Sequence, residues 1–317
     1  MLRYSAMRLL LFIPIIICVT FIIFALMDLA PGTIVDTMIT EEMTEEDIEF
    51  LRSKYDLDKP MIVRYGKYLG NLLRGDLGSS QITGLTVWSQ FSERWPNTMW
   101  LSLFSLMFGV ALAIPAGILA AKYAGTIWDN ITTAIAMLGL SMPNFWLGLM
   151  LLTVFSLKLK IFPAAYDGTW RSFVLPVVAN GFAMIASITR QTRSSILDVS
   201  RQDYLRTARA KGVPERQVTT RHKLGNAWIP IITQIGMMLG VTLGGSAVIE
   251  TVYSWPGVGY LMVEAISRRD TTMACGCVIL TATAYSLVLL LVDLVYAAID
   301  PRIRSAYARG KKRRVKA

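Results

Sequence analysis

The chain has 317 residues, of which 54% are hydrophobic and only 17% are charged, and its net charge is +10. Ordinary soluble domains carry a charge on about a quarter of their residues, so this composition excludes that class. Apolar runs of about 20 residues, enough to cross a bilayer, recur along the chain. The sequence therefore predicts an all-α integral membrane protein.

Six apolar runs predict six transmembrane helices. In chain order they are Leu9–Met27, Leu101–Ala121, Ile131–Leu157, Phe173–Thr189, Ala227–Ile249 and Ala274–Ile299. The first lacks a small-x-small cleavage site near Ala30-Pro31-Gly32, so we expect a retained anchor rather than a signal peptide. The last contains Asp293, which should face protein or water and could pair with Arg302 or Arg304.

Residues 28–97, called the insert below, form the one sizeable segment on the outer side. Between Asp28 and Arg94 it holds twelve acidic and seven basic residues. Thr44 with Asp47 three residues later indicates a capped helix start. A second helix is predicted from Pro60 to about Leu73, because proline suits a first turn. The insert is therefore expected to be a small helical subdomain lying on the bilayer.

The spans carry interior prolines and small residues that favour kinks and close helix packing. The prolines are Pro14, Pro115, Pro143, Pro176 and Pro230, and the small residues include Gly109, Ala113, Gly117, Gly236, Gly240, Gly244 and Gly245. The spacing of Gly236, Gly240 and Gly244 repeats G-x-x-x-G. Kinked helices fit a protein that rearranges, although static bundles also contain them.

Basic residues predict the orientation. With six spans, both termini and the 2–3 and 4–5 loops share one side, which holds twenty of the 32 Lys and Arg residues. The positive-inside rule makes that side cytoplasmic. The tail Lys311-Lys312-Arg313-Arg314 is interpreted as part of this bias and as a contact for anionic lipid rather than nucleic acid.

Residue types suited to catalysis do not cluster. The only histidine, His222, has no neighbouring acid or cysteine, and no H-E-x-x-H, G-x-S-x-G or G-x-x-x-x-G-K-[ST] motif occurs. Cys18, Cys275 and Cys277 are expected to be membrane residues rather than metal ligands. The chain itself is therefore predicted not to be an enzyme, and any use of ATP must fall to a partner.

The segment RTARAKGVPERQVTTRHKL, from Arg206 to Leu224, holds six basic residues between two apolar spans. With Asp203-Tyr204-Leu205 before it, it resembles the coupling motif of bacterial ABC importer permeases. That motif reads E-A-A, three residues, G, nine residues, I-x-L-P. Ala208 and Gly212 match it, whereas Arg206-Thr207 and His222-x-Leu224 depart from it as the dipeptide, oligopeptide and nickel permeases do.

Segments along nearly the whole chain resemble the same branch, and specifically its permease with a long external insert. They are Leu29-Ala30-Pro31-Gly32, Tyr55–Pro60, Arg74–Ser80, Ser141–Trp146, Phe162-Pro163-Ala164, Ser254–Gly259, Arg269-Asp270 and Asp300–Arg304. Thr33-Ile34-Val35 departs from the pattern where G-D-P would follow Pro31.

The resemblance implies the type I importer permease fold and four kinds of partner. These are a second similar permease, two ABC ATPase subunits, an extracytoplasmic substrate-binding protein and membrane lipid. No cofactor is expected in this chain, because ATP and Mg would be bound by the ATPases. Nucleic acid is not an expected partner.

The resemblance also implies two functional segments. The ATPase contact is assigned to Asp203, Tyr204, Leu205, Ala208, Ala210, Gly212, His222 and Leu224. Tyr204, Leu205 and Ala208 are expected on one helix face, and Gly212 with Pro214 should end that helix. The loop Trp255-Pro256-Gly257 is expected to fold back near the external mouth.

The predicted organisation has four parts. Residues 1–27 form the cytoplasmic N-terminus and first span, 28–97 the insert, 98–300 the five-helix permease core with the coupling segment 200–224, and 301–317 the basic cytoplasmic tail. Di- or oligopeptides are the expected cargo, with nickel or other metal chelates and glutathione as alternatives. A membrane-embedded enzyme and a stand-alone transporter are remoter alternatives, because the spans offer little beyond Asp293 as a polar group and show no repeated halves.

Overall fold

The computed structural model describes residues 2–218 and 223–299. The helices are α1 Leu2–Leu29, α2 Glu45–Lys54, α3 Met61–Leu73, α4 Val87–Lys122, α5 Ile127–Ser141, α6 Asn144–Leu151, α7 Arg171–Ser200, α8 Asp203–Ala210, α9 Glu215–Gln217, α10 Leu224–Gly245, α11 Ala247–Val252, α12 Val258–Ser267 and α13 Thr271–Ile299. A 3₁₀ turn spans Val35–Thr37, and a π-helix, Leu152–Lys158, continues α6. The regular secondary structure of the described residues is thus helical, with no strand beyond an isolated bridge between Ser79 and Thr86, which confirms the predicted all-α class.

Four helices in the described ranges, namely α4, α7, α10 and α13, are long and apolar enough to cross a membrane. The bent pair Ile127–Ser141 and Asn144–Lys158 would make a fifth span, and Ile13–Leu29 within α1 is a shorter apolar helix. Several helices run beyond the predicted apolar runs, two of them by ten residues or more. Helix α7 continues to Ser200, beyond Thr189, and α4 begins at Val87, inside the insert.

The third predicted span is not one continuous helix. Helices α5 and α6 meet at an angle of 98°. Proline disfavours helical geometry in the residue before it, and Met142 accordingly adopts an extended conformation with φ −78° and ψ 126°. The sequence predicted one span from Ile131 to Leu157 with Pro143 as a kink, whereas in the structure Pro143 separates two helices.

The insert confirms its predicted helix starts. Thr44 and Asp47 form a capping box: the Asp47 amide donates to Thr44 Oγ1 at 3.3 Å, and the Thr44 amide donates to Asp47 Oδ2 at 3.0 Å. Pro60 is the N-cap of α3. Gly75 and Gly78 both have positive φ, so the chain turns where the glycines indicated.

The chain divides into two compact units. The first unit contains Met1–Thr98 and Pro256–Ala284, and the second contains the described parts of Met99–Trp255 and Tyr285–Ala317. In the first unit, Ser80 Oγ lies 2.5 Å from Asp270 Oδ2, and both side chains are buried. Arg269 donates to the Pro31 carbonyl oxygen at 2.6 Å. The insert therefore packs against the α12–α13 corner, which is distant in sequence.

The second unit is centred on α7. The Ala113, Met184 and Ile188 side chains form one buried cluster. Glycines permit close helix approach: a Cβ on Gly117 would lie 2.8 Å from the Thr189 carbonyl oxygen, and one on Gly240 would lie 2.6 Å from Tyr285 Cε2. Gly244, by contrast, has open space beside it. The G-x-x-x-G spacing thus marks close contact at Gly240 but not at Gly244.

Several predictions fall outside what the structure describes. They concern His222, the side chains of Leu224 and Asp293, the Asp300–Arg304 motif and the basic tail.

Candidate functional site

Helix α8, Asp203–Ala210, forms the centre of the candidate coupling segment. Gln202 precedes it in an extended conformation. Asp203 places a carboxylate in the first turn, where it is attracted by the positive end of the helix dipole. Tyr204, Arg206 and Thr207 are exposed. The helix therefore offers a polar, partly aromatic surface to a partner.

Leu205 does not belong to that surface. Its side chain is fully buried, whereas Tyr204 is 41% exposed. The sequence predicts Leu205 on the face that meets the ATPase; this is wrong, because in the structure Leu205 anchors α8 to its own chain. The reason is physical: it is the one large aliphatic side chain of α8, and burying such a side chain contributes about 1.5–3 kcal/mol.

Gly212 ends α8 in a Schellman motif. Its amide donates to the Arg209 carbonyl at 2.9 Å, and the Val213 amide donates to the Ala208 carbonyl at 3.2 Å. These two bonds satisfy carbonyls at the helix end and require a left-handed residue, and Gly212 has φ +78°. A Cβ at Gly212 would meet nothing within 4 Å. The glycine is thus required by backbone conformation, not by space within the chain.

The turn after Gly212 is held by charge. Arg209 donates twice to Glu215, Nε to Oε2 and Nη2 to Oε1, both at 3.0 Å, and Lys223 Nζ lies 3.1 Å from Glu215 Oε1. These two cations, Arg209 first, lower the pKa of Glu215 to about 2. The only acid between Arg206 and Leu224 therefore ties the two ends of the segment together.

Tyr204 connects α8 to the next membrane helix. Its hydroxyl oxygen accepts a hydrogen bond from Asn226 Nδ2 at 3.0 Å, and Asn226 lies in the first turn of α10. A displacement of α8 can thus reach α10 through this bond as well as through the chain.

The other predicted coupling residues occupy different settings. Asp203 and Ala210 are exposed, and Ala208 is half-buried. Leu224 begins α10, and His222 lies outside the described residues. The structure therefore gathers Asp203, Tyr204, Ala208 and Ala210 into α8 and Gly212 into the turn that ends it.

The loop Trp255-Pro256-Gly257 begins with a buried aromatic residue. The Trp255 side chain is fully buried, and in the second unit its ring meets those of Phe173 and Tyr166 edge-on, with centroids 4.3 and 4.8 Å apart. That the loop folds back near the external mouth stays a prediction. Because its large ring gains more from this aromatic contact than from water, Trp255 anchors this part of the second unit.

Pro256 and Gly257 belong to the first unit, where hydrogen bonds fix the loop. The Pro256 carbonyl accepts from Asn97 Nδ2 at 2.9 Å. Gly257 is the N-cap of α12, and the Val258 amide that follows donates to Thr98 Oγ1 at 2.9 Å.

One buried ion pair at the start of α5 was not predicted from the sequence. Asp129, buried at the start of α5, receives two hydrogen bonds from Arg193 of α7, with Nε to Oδ1 at 2.5 Å and Nη2 to Oδ2 at 2.7 Å. The Gly125 amide also donates to Asp129 Oδ2 at 2.9 Å. Asp129 and Arg193 are 64 positions apart, so only the folded helices reveal that they meet.

No set of metal ligands is gathered in residues 2–218 and 223–299: no three His, Cys, Asp or Glu side chains there are placed to hold an ion.

Two family models match the chain. Residues 113–305 match the family described as "Binding-protein-dependent transport system inner membrane component". Residues 1–102 match its companion, "Binding-prot-dependent transport system membrane comp, N-term". Together they cover nearly the full length, including the insert and α8.

Curated relatives match over almost their whole length. The glutathione transport system permease protein GsiC of Escherichia coli is 37% identical over 304 residues, covering 96% of this chain and 99% of the relative. The protein of the same description from Pectobacterium atrosepticum is 38% identical with the same coverage.

Solved structures share the fold. An inward-facing MetNI methionine ABC transporter matches with a TM-score of 0.58 at 17% identity, covering 66% of this chain and 96% of that one. An amino acid ABC transporter crystallised with histidines matches with a TM-score of 0.52 at 14% identity, covering 68% and 94%. At these identities the likeness concerns the fold alone.

Proposed function

Because the chain belongs to the family of binding-protein-dependent transport system inner membrane components and is a permease subunit of an ABC importer, we propose that it forms half of a peptide translocation path. The other half is a second, similar permease. Members of this family work with ATPase subunits and a binding protein, and the permease itself is not an enzyme. In the proposed assembly, two partner ATPases bind ATP and Mg.

The observation that carries the coupling proposal is the form of α8. It is short, anchored by buried Leu205, stopped by Gly212 and exposed along Tyr204, Arg206 and Thr207. A segment that transmits force must be held firmly by its own chain yet leave a surface for the partner. We assign that surface to the groove of an ATPase, with Asp203, Ala208, Ala210, His222 and Leu224 belonging to the same segment.

The proposed mechanism needs no bond chemistry in this chain. When ATP binding draws the two ATPases together, α8 moves with its ATPase, and the Tyr204–Asn226 hydrogen bond carries the movement to α10. The spans then exchange between inward-open and outward-open states. Nucleotide can drive this exchange only by binding the two states with different affinity.

The proposed orientation places both termini and α8 in the cytoplasm and the insert outside. The distribution of basic residues supports it, since seven of the twelve on the outer side lie in the long insert, where the positive-inside rule has little force. The membrane is the bacterial inner membrane, as for the relatives.

The proposed cargo is a di- or oligopeptide or a related small solute. The relatives named for glutathione transport favour a peptide-like cargo over nickel or other metal chelates, since glutathione is itself a small peptide. Pro256 and Gly257 are proposed to lie near the external entrance.

Cross-linking tests the α8 assignment. With Cys18 replaced by serine, cysteine is introduced as Thr207→Cys on the exposed face or as Leu205→Cys at the buried position of the same helix. We expect Thr207→Cys to form a cross-link to a cysteine in the ATPase groove, and Leu205→Cys to form none. The assignment would be contradicted if both variants cross-linked equally to the ATPase, or if neither did so in an assembled importer.

A further inference from the structure

A polar cavity in the first unit has no part in the coupling argument. Its volume is ≈ 390 Å³, which lies within the range of about 300–1,000 Å³ typical of small-molecule sites. Its walls come from the end of α1, the loops on either side of α3, α3 itself and the α12–α13 corner. Every lining residue belongs to the first unit.

The cavity wall carries charges of both signs. Its cations are Lys54, Arg64, Lys67 and Arg269, and its carboxylates are Asp28, Asp56 and Asp76. Arg64 is paired with Asp28 and Lys67 with Asp56, which Lys59 also contacts. Among the described residues, the other three charged groups of the wall, Lys54, Arg269 and Asp76, form no salt bridge, so the wall keeps unneutralised groups of both signs. A zwitterion would find Lys54 or Arg269 for its negative end and Asp76 for its positive end, whereas a ligand with only one sign of charge would leave one of these groups without a partner.

Two amide side chains on the wall have no partner. Among the described residues, neither the Asn71 nor the Gln81 side chain makes a hydrogen bond, and both are half-buried in the lining. Each amide offers a carbonyl acceptor and two N–H donors, the same groups that a peptide bond needs. Phe24, Met27 and Tyr68 supply apolar surface beside them.

We propose that this cavity binds a short peptide with both termini free. Its carboxylate would meet the basic groups, its ammonium group the carboxylates, and its peptide bond Asn71 and Gln81. This inference rests on the proposed peptide-class cargo and adds to it a site on the permease itself, separate from the binding protein. The ethanolamine phosphate headgroup of a lipid is also a zwitterion, but it has no peptide group for the two amides.

The test is equilibrium binding to the assembled importer in lipid nanodiscs, with no binding protein and no nucleotide. Three probes are compared: L-alanyl-L-alanine, the same dipeptide acetylated and amidated at its ends, and phosphoethanolamine. We expect the free dipeptide to bind at least about tenfold more tightly than either of the others. If phosphoethanolamine bound more tightly than the free dipeptide, the cavity would be assigned to a lipid headgroup. If the blocked dipeptide bound as tightly as the free one, the charged ends would contribute nothing to binding. Either result would overturn the proposal, as would no binding of the free dipeptide.

Variants locate the bound peptide. Asn71→Ala combined with Gln81→Ala removes the two unpartnered amides and should weaken dipeptide binding about tenfold. The matched control is Asn130→Ala, an exposed asparagine in the second unit, and it should leave binding unchanged. Lys54→Ala should also weaken binding, whereas Arg52→Ala, two positions away and not in the lining, should not.

Failure here is distinguishable from failure of the proposed function. If the double variant binds dipeptide like the unmodified importer, the cavity proposal is wrong, whatever the complete importer does. ATP-driven uptake of peptide by that complete importer, with its binding protein present, tests the proposed function separately.

Discussion

At the residue scale, Gly212 offers a test of coupling with an internal control. Its φ of +78° is unfavourable for valine by about 1–2 kcal/mol, and a side chain there would project from the end of α8. We expect Gly212→Val to lower peptide uptake at least about tenfold while ATP hydrolysis continues. Asparagine tolerates the left-handed conformation better than valine, so Gly212→Asn should lower peptide uptake less than Gly212→Val does.

Gly168→Val is the matched control for this change. Gly168 has φ +79°, and a Cβ there also meets nothing within 4 Å, so the backbone cost is the same. Uptake by Gly168→Val is expected to stay within about twofold of the unmodified importer. Equal loss in both variants would show that backbone strain, rather than a partner contact, explains the effect.

Glu215 gives a prediction about pH. Arg209 and Lys223 hold its pKa at about 2, below the ordinary value of 4.5. A depressed carboxyl pKa contributes stability that is full above the ordinary value and is lost as pH falls toward about 2. Trypsin should therefore cleave the segment equally fast at about pH 6 and pH 8, once corrected for its own pH dependence.

Removing the carboxylate should loosen the turn modestly. Arg209 and Glu215 are 43% and 58% exposed, and exposed pairs contribute about 0.2–1 kcal/mol. Glu215→Gln is thus expected to raise cleavage at Lys211 by up to about fivefold. An unchanged rate would show that the Schellman turn alone holds the segment.

The sequence predicted some residue roles and missed others for a physical reason. Gly212 and the Thr44–Asp47 capping box depend on neighbours within a few positions, so local pattern was sufficient. Leu205 was placed on a contact surface but is buried, and the burial of Trp255 was not predicted. Which face of a short helix or loop turns inward depends on distant segments, such as Phe173 and Tyr166 around Trp255.

At the element scale, the Asp129–Arg193 pair joins α5 to α7. Asp129 is 4% exposed and Arg193 is 31% exposed. Removing one partner of a buried pair leaves an uncompensated charge, which costs about 3–5 kcal/mol in buried settings. Because Arg193 reaches some solvent, we expect Asp129→Ala to cost about 3 kcal/mol in the free energy of unfolding.

A double-mutant cycle separates the pair from its surroundings. Asp129→Ala combined with Arg193→Ala should destabilise the importer less than the sum of the two single changes, as judged from thermal unfolding in detergent. If the losses of stability in the two single variants simply added up in the double variant, a direct interaction between Asp129 and Arg193 would be contradicted.

Element boundaries followed from the sequence only where a local signal marked them. Pro60 began α3 as predicted. Pro143 was identified too, but only as a kink, because the size of a bend depends on what the second helix packs against. Buried Tyr253, whose hydroxyl donates to the Gly148 carbonyl at 2.8 Å, fixes α6 in its bent position.

At the scale of the whole molecule, the family and fold class were predictable because ordered signatures cover nearly the entire chain. The two-unit division was not. The first unit combines Met1–Thr98 with Pro256–Ala284, and contacts such as Ser80–Asp270 join residues 190 positions apart. Neither composition nor periodicity reports a pairing of that range.

The central claim is that this permease transports only as part of an ATP-driven assembly. The most direct measurement is dipeptide accumulation in proteoliposomes containing both permeases and both ATPases, with the binding protein on the outside and ATP inside. We predict accumulation that ceases when the ATPases carry an inactivating substitution and persists when a proton ionophore is added. Accumulation by this chain without the ATPases, or its collapse with the ionophore while ATP hydrolysis continues, would contradict the account and indicate a stand-alone transporter.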